Sequence, residues 1–149
     1  MDFNKYAAKG NQMLDEIALE LGLPGNRDLA KRFLRSTLHI LRERLTIEES
    51  FQLMAQLPFV IKAMYVDGWK YTTKPNRIKN IKEFVRKMIH EDYPSGHHDI
   101  QTTKDGENAV RAVLKVLRKH VSEGEIKDIL VSIPPELRPL WGDVEAVSE

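Results

Sequence analysis

Four candidate metal ligands lie in residues 90–99 of this 149-residue chain, a range that we call the histidine-rich segment. They are His90, His97, His98 and Asp99. Imidazole and carboxylate groups are common ligands of zinc, manganese and iron. The spacing is poor for such a site, because the segment lacks the His-Glu-x-x-His pattern and the adjacent His97 and His98 point in different directions. A solvent-exposed loop from His90 to Asp99 is therefore the simpler interpretation, and a metal-dependent protein or enzyme is the alternative.

A basic segment between Lys70 and Lys87 is the second candidate site. Seven lysines and arginines oppose Glu83 alone, a local net charge of +6, and Trp69 and Tyr71 lie at its start. Basic side chains beside aromatic ones suit single-stranded nucleic acid or anionic lipid headgroups. Apolar residues at helical spacing indicate instead an amphipathic helix with a solvated basic face, so nucleic-acid binding ranks third. The candidate interaction surface comprises Trp69, Lys70, Tyr71, Lys74, Arg77, Lys79 and Lys82.

The sequence predicts no catalytic residue and no cofactor. The chain has no cysteine, which removes thiolate catalysis, disulfides and zinc–sulfur sites. It contains neither a glycine-rich phosphate loop nor a G-x-S-x-G nucleophile elbow. The formal net charge of +1 provides no overall field that would attract nucleic acid or acidic membranes. These exclusions favour a non-enzymatic protein.

The elements that must position the candidate residues can be predicted from an internal repeat. The sequence pattern of residues 34–65 is repeated in residues 110–141 without a gap, at an offset of 76 positions. Apolar residues of one copy match apolar residues of the other, at the helical spacing of three and four. A unit copied at a fixed offset predicts two like modules that pack as a pair. The identical residues are Arg35, Leu38, Leu41, Arg42, Glu49 and Pro58, which recur as Arg111, Leu114, Leu117, Arg118, Glu125 and Pro134.

Each copy also contains a start signal for a new helix. Thr46 with Glu49, and Ser122 with Glu125, fit the capping box, in which the hydroxyl and the glutamate each accept from the other residue's backbone amide. We therefore interpret these glutamates as helix caps and not as catalytic acids. The recurrent arginines are interpreted as surface residues or as partners of nearby carboxylates. They are Arg35, Arg42, Arg111 and Arg118.

The repeats cover about residues 4–69 and 74–141, and a glycine- and proline-marked link from Asp67 to Asn76 joins them. The second copy carries an insertion of nine residues between about Glu91 and Thr103, which contains most of the histidine-rich segment. Each module alone would expose much of its apolar face, so we expect residues 1–149 to form a single domain. The predicted fold class is all-α, a pseudo-two-fold bundle of two duplicated helical modules that share one core.

The chain resembles the bacterial proteins of the DUF2267 family, a domain of unknown function. The resemblance rests on three stretches, RERLTIEESFQLMAQLP, YVDGW and RAVLKVLRKHVSEGEIKDILVSIPPELRPLW, and it extends from about Asn4 to Trp141. It implies a bacterial, all-helical protein built from a duplicated unit. It implies no activity, cofactor or catalytic residue.

Together these observations predict a cytoplasmic, non-enzymatic helical module that binds a protein partner or its own copy. The polar N-terminus has no apolar run typical of a signal peptide, and no stretch reaches the roughly 20 apolar residues that span a bilayer. Grooves between paired helices accept amphipathic helices or apolar ligands. Phe59, Val60, Ile61 and the corner from Trp69 to Tyr71 are the candidate contacts of a homodimer.

Overall fold

Helices account for most of residues 1–72 and 74–142, the part of the chain that the computed structural model describes. No strand occurs in these ranges, so the prediction of an all-α fold is confirmed. None of their helices is both long and apolar enough to cross a lipid bilayer. In chain order the helices are α1 (Phe3–Glu20), α2 (Arg27–Arg44), α3 (Ile47–Ala55), α4 (Phe59–Val66), α5 (Ile81–Glu91), α6 (Gly96–Asp99), α7 (Thr103–His120), α8 (Glu123–Ser132) and a 3₁₀ helix (Pro135–Trp141).

Side-chain caps fix where several of these helices begin. Asn26 and Asn80 each accept the backbone N–H three residues further on, and Thr102 forms a complete capping box at α7. The capping box predicted at α3 is present, because Thr46 Oγ1 and Glu49 Oε1 each accept from the other residue's amide. The loss of such a cap typically costs about 1 kcal/mol of stability. These helix starts are therefore determined by short stretches of sequence.

The capping box predicted at α8 forms only in part. Ser122 Oγ accepts from the Glu125 N–H at 3.2 Å, but the Ser122 N–H donates to Gln56 Oε1 at 2.6 Å. The prediction of a full box is wrong here because α3 packs beside α8 and the residue after α3 supplies another acceptor. Glu125 is left 8% exposed, its Oε1 has no partner among the described residues, and burial raises its pKa.

Helices α2 and α7 are the central elements of the fold. They contact each other, and each also contacts α1 and α5. Their apolar stripes are almost completely buried, since Leu34, Leu38, Val110, Leu114 and Leu117 are at most 1% exposed. Each such side chain contributes roughly 1.5–3 kcal/mol when it is buried. Buried residues of both predicted modules belong to one hydrophobic cluster.

The bounds of the helices follow the repeat. Helices α7, α8 and the 3₁₀ helix each begin 76 positions after α2, α3 and α4. One contact is also repeated at that offset: Arg42 Nη1 donates to Tyr65 O at 2.8 Å, and Arg118 Nη1 donates to Trp141 O at 2.9 Å. The third element differs, since a proline inside the 3₁₀ helix removes a backbone donor. The duplication and its pseudo-two-fold arrangement stay predictions.

Part of the polar face of α2 is covered, although the sequence places it in solvent, and Arg35 on the same face is exposed. Helix α4 packs against α2 and leaves His39 2% exposed and Arg42 8% exposed. His39 Nε2 donates to Met64 O at 2.8 Å, and burial lowers the pKa of His39. Arg42 Nη1 donates to two carbonyl oxygens at the end of α4, which a helix terminus leaves without intrahelical partners. The interpretation of Arg42 as a surface residue or a carboxylate partner is therefore wrong.

The predicted homodimer contacts on α4 face partly inward. Ile61 is 2% exposed, and Val60 packs so closely on Gly10 of α1 that a Cβ at Gly10 would clash with it. Phe59 is 46% exposed, and its ring lies 4.7 Å from that of Tyr6. Of the three residues, Phe59 offers the largest apolar surface, and self-association stays a prediction.

Candidate functional site

The link between the two predicted modules is anchored on the last turn of α2. The Asn76 N–H donates to Glu43 O at 2.9 Å, and Arg44 Nη1 donates to Asn76 O at 3.2 Å. At the other end of the link, Arg42 Nη1 donates to Asp67 O at 2.7 Å. These bonds satisfy main-chain groups at the end of α2 and at the end of α4. These hydrogen bonds hold both ends of the link against α2.

Between the two anchors lies a groove with a volume of about 480 Å³. Its first wall is the corner between α2 and α3, residues 42–48, and its second wall is formed by residues 69–72 and 74–76. We call this feature the link groove. Its volume falls in the range typical of pockets that hold a small ligand or a few side chains.

Two aromatic residues of the link groove have different surroundings. Trp69 packs edge-on against the fully buried Tyr65, with 5.7 Å between the ring centroids and an interplanar angle of 82°. The Arg42 guanidinium lies 6.0 Å from the Trp69 ring centroid, at the limit of a cation–π interaction. Tyr71 is 60% exposed and forms no ring contact within the described residues. Trp69 is therefore held in place, while Tyr71 presents an aromatic surface to solvent.

The charges that line the link groove are mostly positive. Four cationic side chains line it, against the two carboxylates of Glu43 and Glu48. Burial lowers the pKa of Arg42, yet an arginine remains protonated at physiological pH. The Nε atoms of Arg42 and Arg44 are buried and have no hydrogen-bond partner among the described residues. The four cations are Arg42, Arg44, Lys70 and Lys74.

The residues of the predicted interaction surface do not lie together in the structure. Trp69, Lys70, Tyr71 and Lys74 all line the link groove. Arg77 lines a different, open depression on α5, which it shares with Glu83 and with the basic residues Arg86 and Lys87. Lys79 and Lys82 are exposed and line neither feature.

The histidine-rich segment does not bring its candidate ligands together. In residues 1–72 and 74–142, no group of three or more His, Cys, Asp or Glu side chains is placed to hold a metal ion. Both oxygens of Asp99 accept hydrogen bonds from Arg32, at 2.7 and 3.0 Å. His90 and His97 line a shallow depression of about 270 Å³, and His98 is exposed. The predicted metal site gains no support from this arrangement.

The same segment contains a buried acid pair that the sequence analysis missed. The side chains of Asp92 and Asp99 are only 6% and 3% exposed, so the segment is not simply a solvated loop. Arg32 of α2 binds Asp99, and its Nε lies 3.8 Å from Asp92 Oδ1. Burial and then the neighbouring Asp99 raise the pKa of Asp92 to about 7. Burial opposes the ionisation of Asp99, but the hydrogen bonds from Arg32 and Asp92 outweigh it and lower the pKa of Asp99.

One arginine cannot neutralise two buried carboxylates, so the pair retains a proton. Arg32 donates to both oxygens of Asp99 but comes no closer than 3.8 Å to Asp92, so Asp99 is the ionised carboxyl and Asp92 holds the proton. No short motif signals this arrangement, because α2 supplies the arginine from more than 50 positions away.

The comparisons with known proteins identify a family and nothing more specific. The family described as "Uncharacterized conserved protein (DUF2267)" matches residues 10–140, which is most of the chain. No curated protein matches the chain significantly.

Proposed function

Because the chain belongs to the DUF2267 family, whose description names no activity, we propose a function from the geometry: the protein is a non-enzymatic module that binds a segment of a partner protein in the link groove. The observation that carries this proposal is the groove itself. In a cavity of about 480 Å³, the groove places the exposed Tyr71 and the fixed Trp69 beside four cations. Tryptophan, tyrosine and arginine are enriched at protein interaction sites, and the groove contains all three.

The groove is held open by interactions within the chain. Arg42 and Asn76 hold its two ends, through hydrogen bonds to main-chain groups. A site that is largely formed before binding loses less conformational entropy when a partner binds. This supports the link groove over the open α5 depression as the binding surface. We also propose the bacterial, cytoplasmic setting and the internal duplication that the sequence analysis expects.

The experiment is a selection of binding peptides from a random library displayed on phage, with the full chain as the target. The selected peptides are tested against the Tyr71→Ala variant, which removes the exposed aromatic ring from the groove. The matched control is Tyr93→Ala, because Tyr93 is 85% exposed and lies in the histidine-rich segment. We expect Tyr71→Ala to weaken binding by about tenfold, and Tyr93→Ala to leave it unchanged.

Tryptophan fluorescence locates the bound peptide. The chain has two tryptophans, and Trp141 is 2% exposed in the core, so a change in emission on binding is expected to come from Trp69. The Trp69→Phe variant should abolish this change. Selected peptides that bind both tyrosine variants as tightly as the original chain, without a change in Trp69 emission, would show that the link groove is not the binding site.

A further inference from the structure

The cations of the link groove outnumber its carboxylates by four to two, and none of the four forms a salt bridge within the described residues. These cations are Lys70, Lys74, Arg42 and Arg44. The two arginines donate to main-chain carbonyls, which are neutral acceptors. By contrast, Arg27 and Arg32 elsewhere in the fold each bind an aspartate through two nitrogens. The groove therefore gathers cations without carboxylate partners.

We infer that the segment bound in the link groove is acidic, with carboxylates that pair with Lys70, Lys74 and Arg44 and an apolar side chain that packs against Trp69 and Tyr71. This inference rests on the proposed function. Hydrogen bonds between charged partners are stronger than neutral ones, and charge complementarity sets which partner an interface accepts.

The two glutamates of the groove favour a peptide over a nucleic acid. Glu43 and Glu48 lie in the first wall, beside Arg42 and Arg44. A nucleic-acid strand carries a negative charge at every phosphate, so part of its backbone would lie against these carboxylates. A peptide has no charge on its backbone, and it can place a serine or a lysine opposite them.

The test measures the affinity of a defined probe, a glutamate-rich peptide with one phenylalanine, by isothermal titration calorimetry and by Trp69 emission. The groove variant is the double substitution Lys70→Glu and Lys74→Glu. The control is Lys119→Glu with Lys127→Glu, which has the same net charge and alters two lysines that are exposed outside the groove. We expect the groove variant to bind the probe more than about tenfold more weakly than the control does.

A second arm reverses the charges of the peptide. The groove variant should bind the same peptide with lysine in place of each glutamate, and this peptide should not bind the original chain. Binding of the probe should also weaken as salt is added, because exposed charges are screened.

Two results of these binding measurements would overturn the inference. One is equal affinity of the groove variant and its control for the probe. The other is tighter binding of a single-stranded oligothymidylate than of the probe, with a loss of oligonucleotide binding in the groove variant. If library peptides that depend on Tyr71 carry no acidic residues, the proposed function holds and the inference is wrong. If no library peptide depends on Tyr71, the proposed function itself is wrong.

Discussion

The substitution Asp92→Asn is expected to stabilise the protein above neutral pH and to remove part of the pH dependence of its stability. The folded protein holds a proton on Asp92, whose pKa is about 7 against an ordinary value of 3.8. Below pH 3.8 both the folded and the unfolded chain carry this proton. Between pH 3.8 and about 7 the unfolded chain loses it and the folded chain keeps it, so the free energy of unfolding falls as the pH rises.

The magnitude follows from the difference between the two pKa values. Moving a pKa from 3.8 to about 7 corresponds to a loss of about 4 kcal/mol of stability at pH 8 relative to pH 3. We take about 2–4 kcal/mol as the expected range, because Arg32 beside the pair is one-third exposed, so solvent lies close to the pair and reduces the effect of burial on Asp92. An asparagine cannot ionise, and its amide N–H can donate to Asp99 in place of the proton. The variant should therefore gain about this amount at pH 8 and little at pH 4.

The assay is urea unfolding followed by circular dichroism at 222 nm, repeated from pH 4 to pH 8. Glu136→Gln, which removes one exposed carboxyl, is the matched control and should show the pH profile of the original chain. If the free energy of unfolding of Asp92→Asn changes with pH in parallel with that of the control across this range, Asp92 does not hold a proton in the folded protein. The same conclusion follows if the variant is less stable than the original chain at pH 8.

Four further substitutions test the packing around the site and the caps. Arg42→Met should cost about 2 kcal/mol in urea unfolding, because two carbonyl oxygens lose their donor, and it should alter Trp69 emission in the folded state. Gly106→Ala should lower the free energy of unfolding by about 1–3 kcal/mol, because the added Cβ would clash with Val85. Gly124→Ala should raise it by about 0.5–1 kcal/mol, because the added Cβ in α8 meets no atom. Scanning calorimetry compares the two variants. Thr46→Ala should lower stability by about 1 kcal/mol in the same measurement, through the loss of the cap of α3.

Local signals in the sequence were sufficient for the helices but not for the environment of each polar residue. The stripe that contains Leu34 and Leu38 predicts the buried face of α2, because helical periodicity needs only neighbouring residues. The same periodicity places Arg42 in solvent. It fails there because helix α4, which lies later in the chain, packs over that face. Which polar face is covered depends on tertiary packing, and no local pattern encodes that.

Only one wall of the link groove consists of residues that the sequence analysis singled out as an interaction surface. Composition alone identified Trp69, Lys70, Tyr71 and Lys74, since aromatic and basic residues are adjacent there in sequence. The opposite wall, residues 42–48, is separated from them by the whole of α4. Its contribution follows only from the hydrogen bonds that anchor Asn76 to the end of α2. The acid pair was missed for the same reason, because its arginine is distant in sequence.

A comparison of the two copies separates what the fold requires from what the site requires. Arg42 and Arg118 make the same bond to the end of the following short helix, so this contact belongs to the fold. The first copy adds a link that carries exposed lysines and an exposed tyrosine, and its corner carries Glu48 where the second copy has Gly124. Lys70, Tyr71 and Lys74 are exposed and make none of the contacts that anchor the link. Their substitutions are therefore expected to act on binding, whereas substitutions of Arg42 and Arg118 act first on stability.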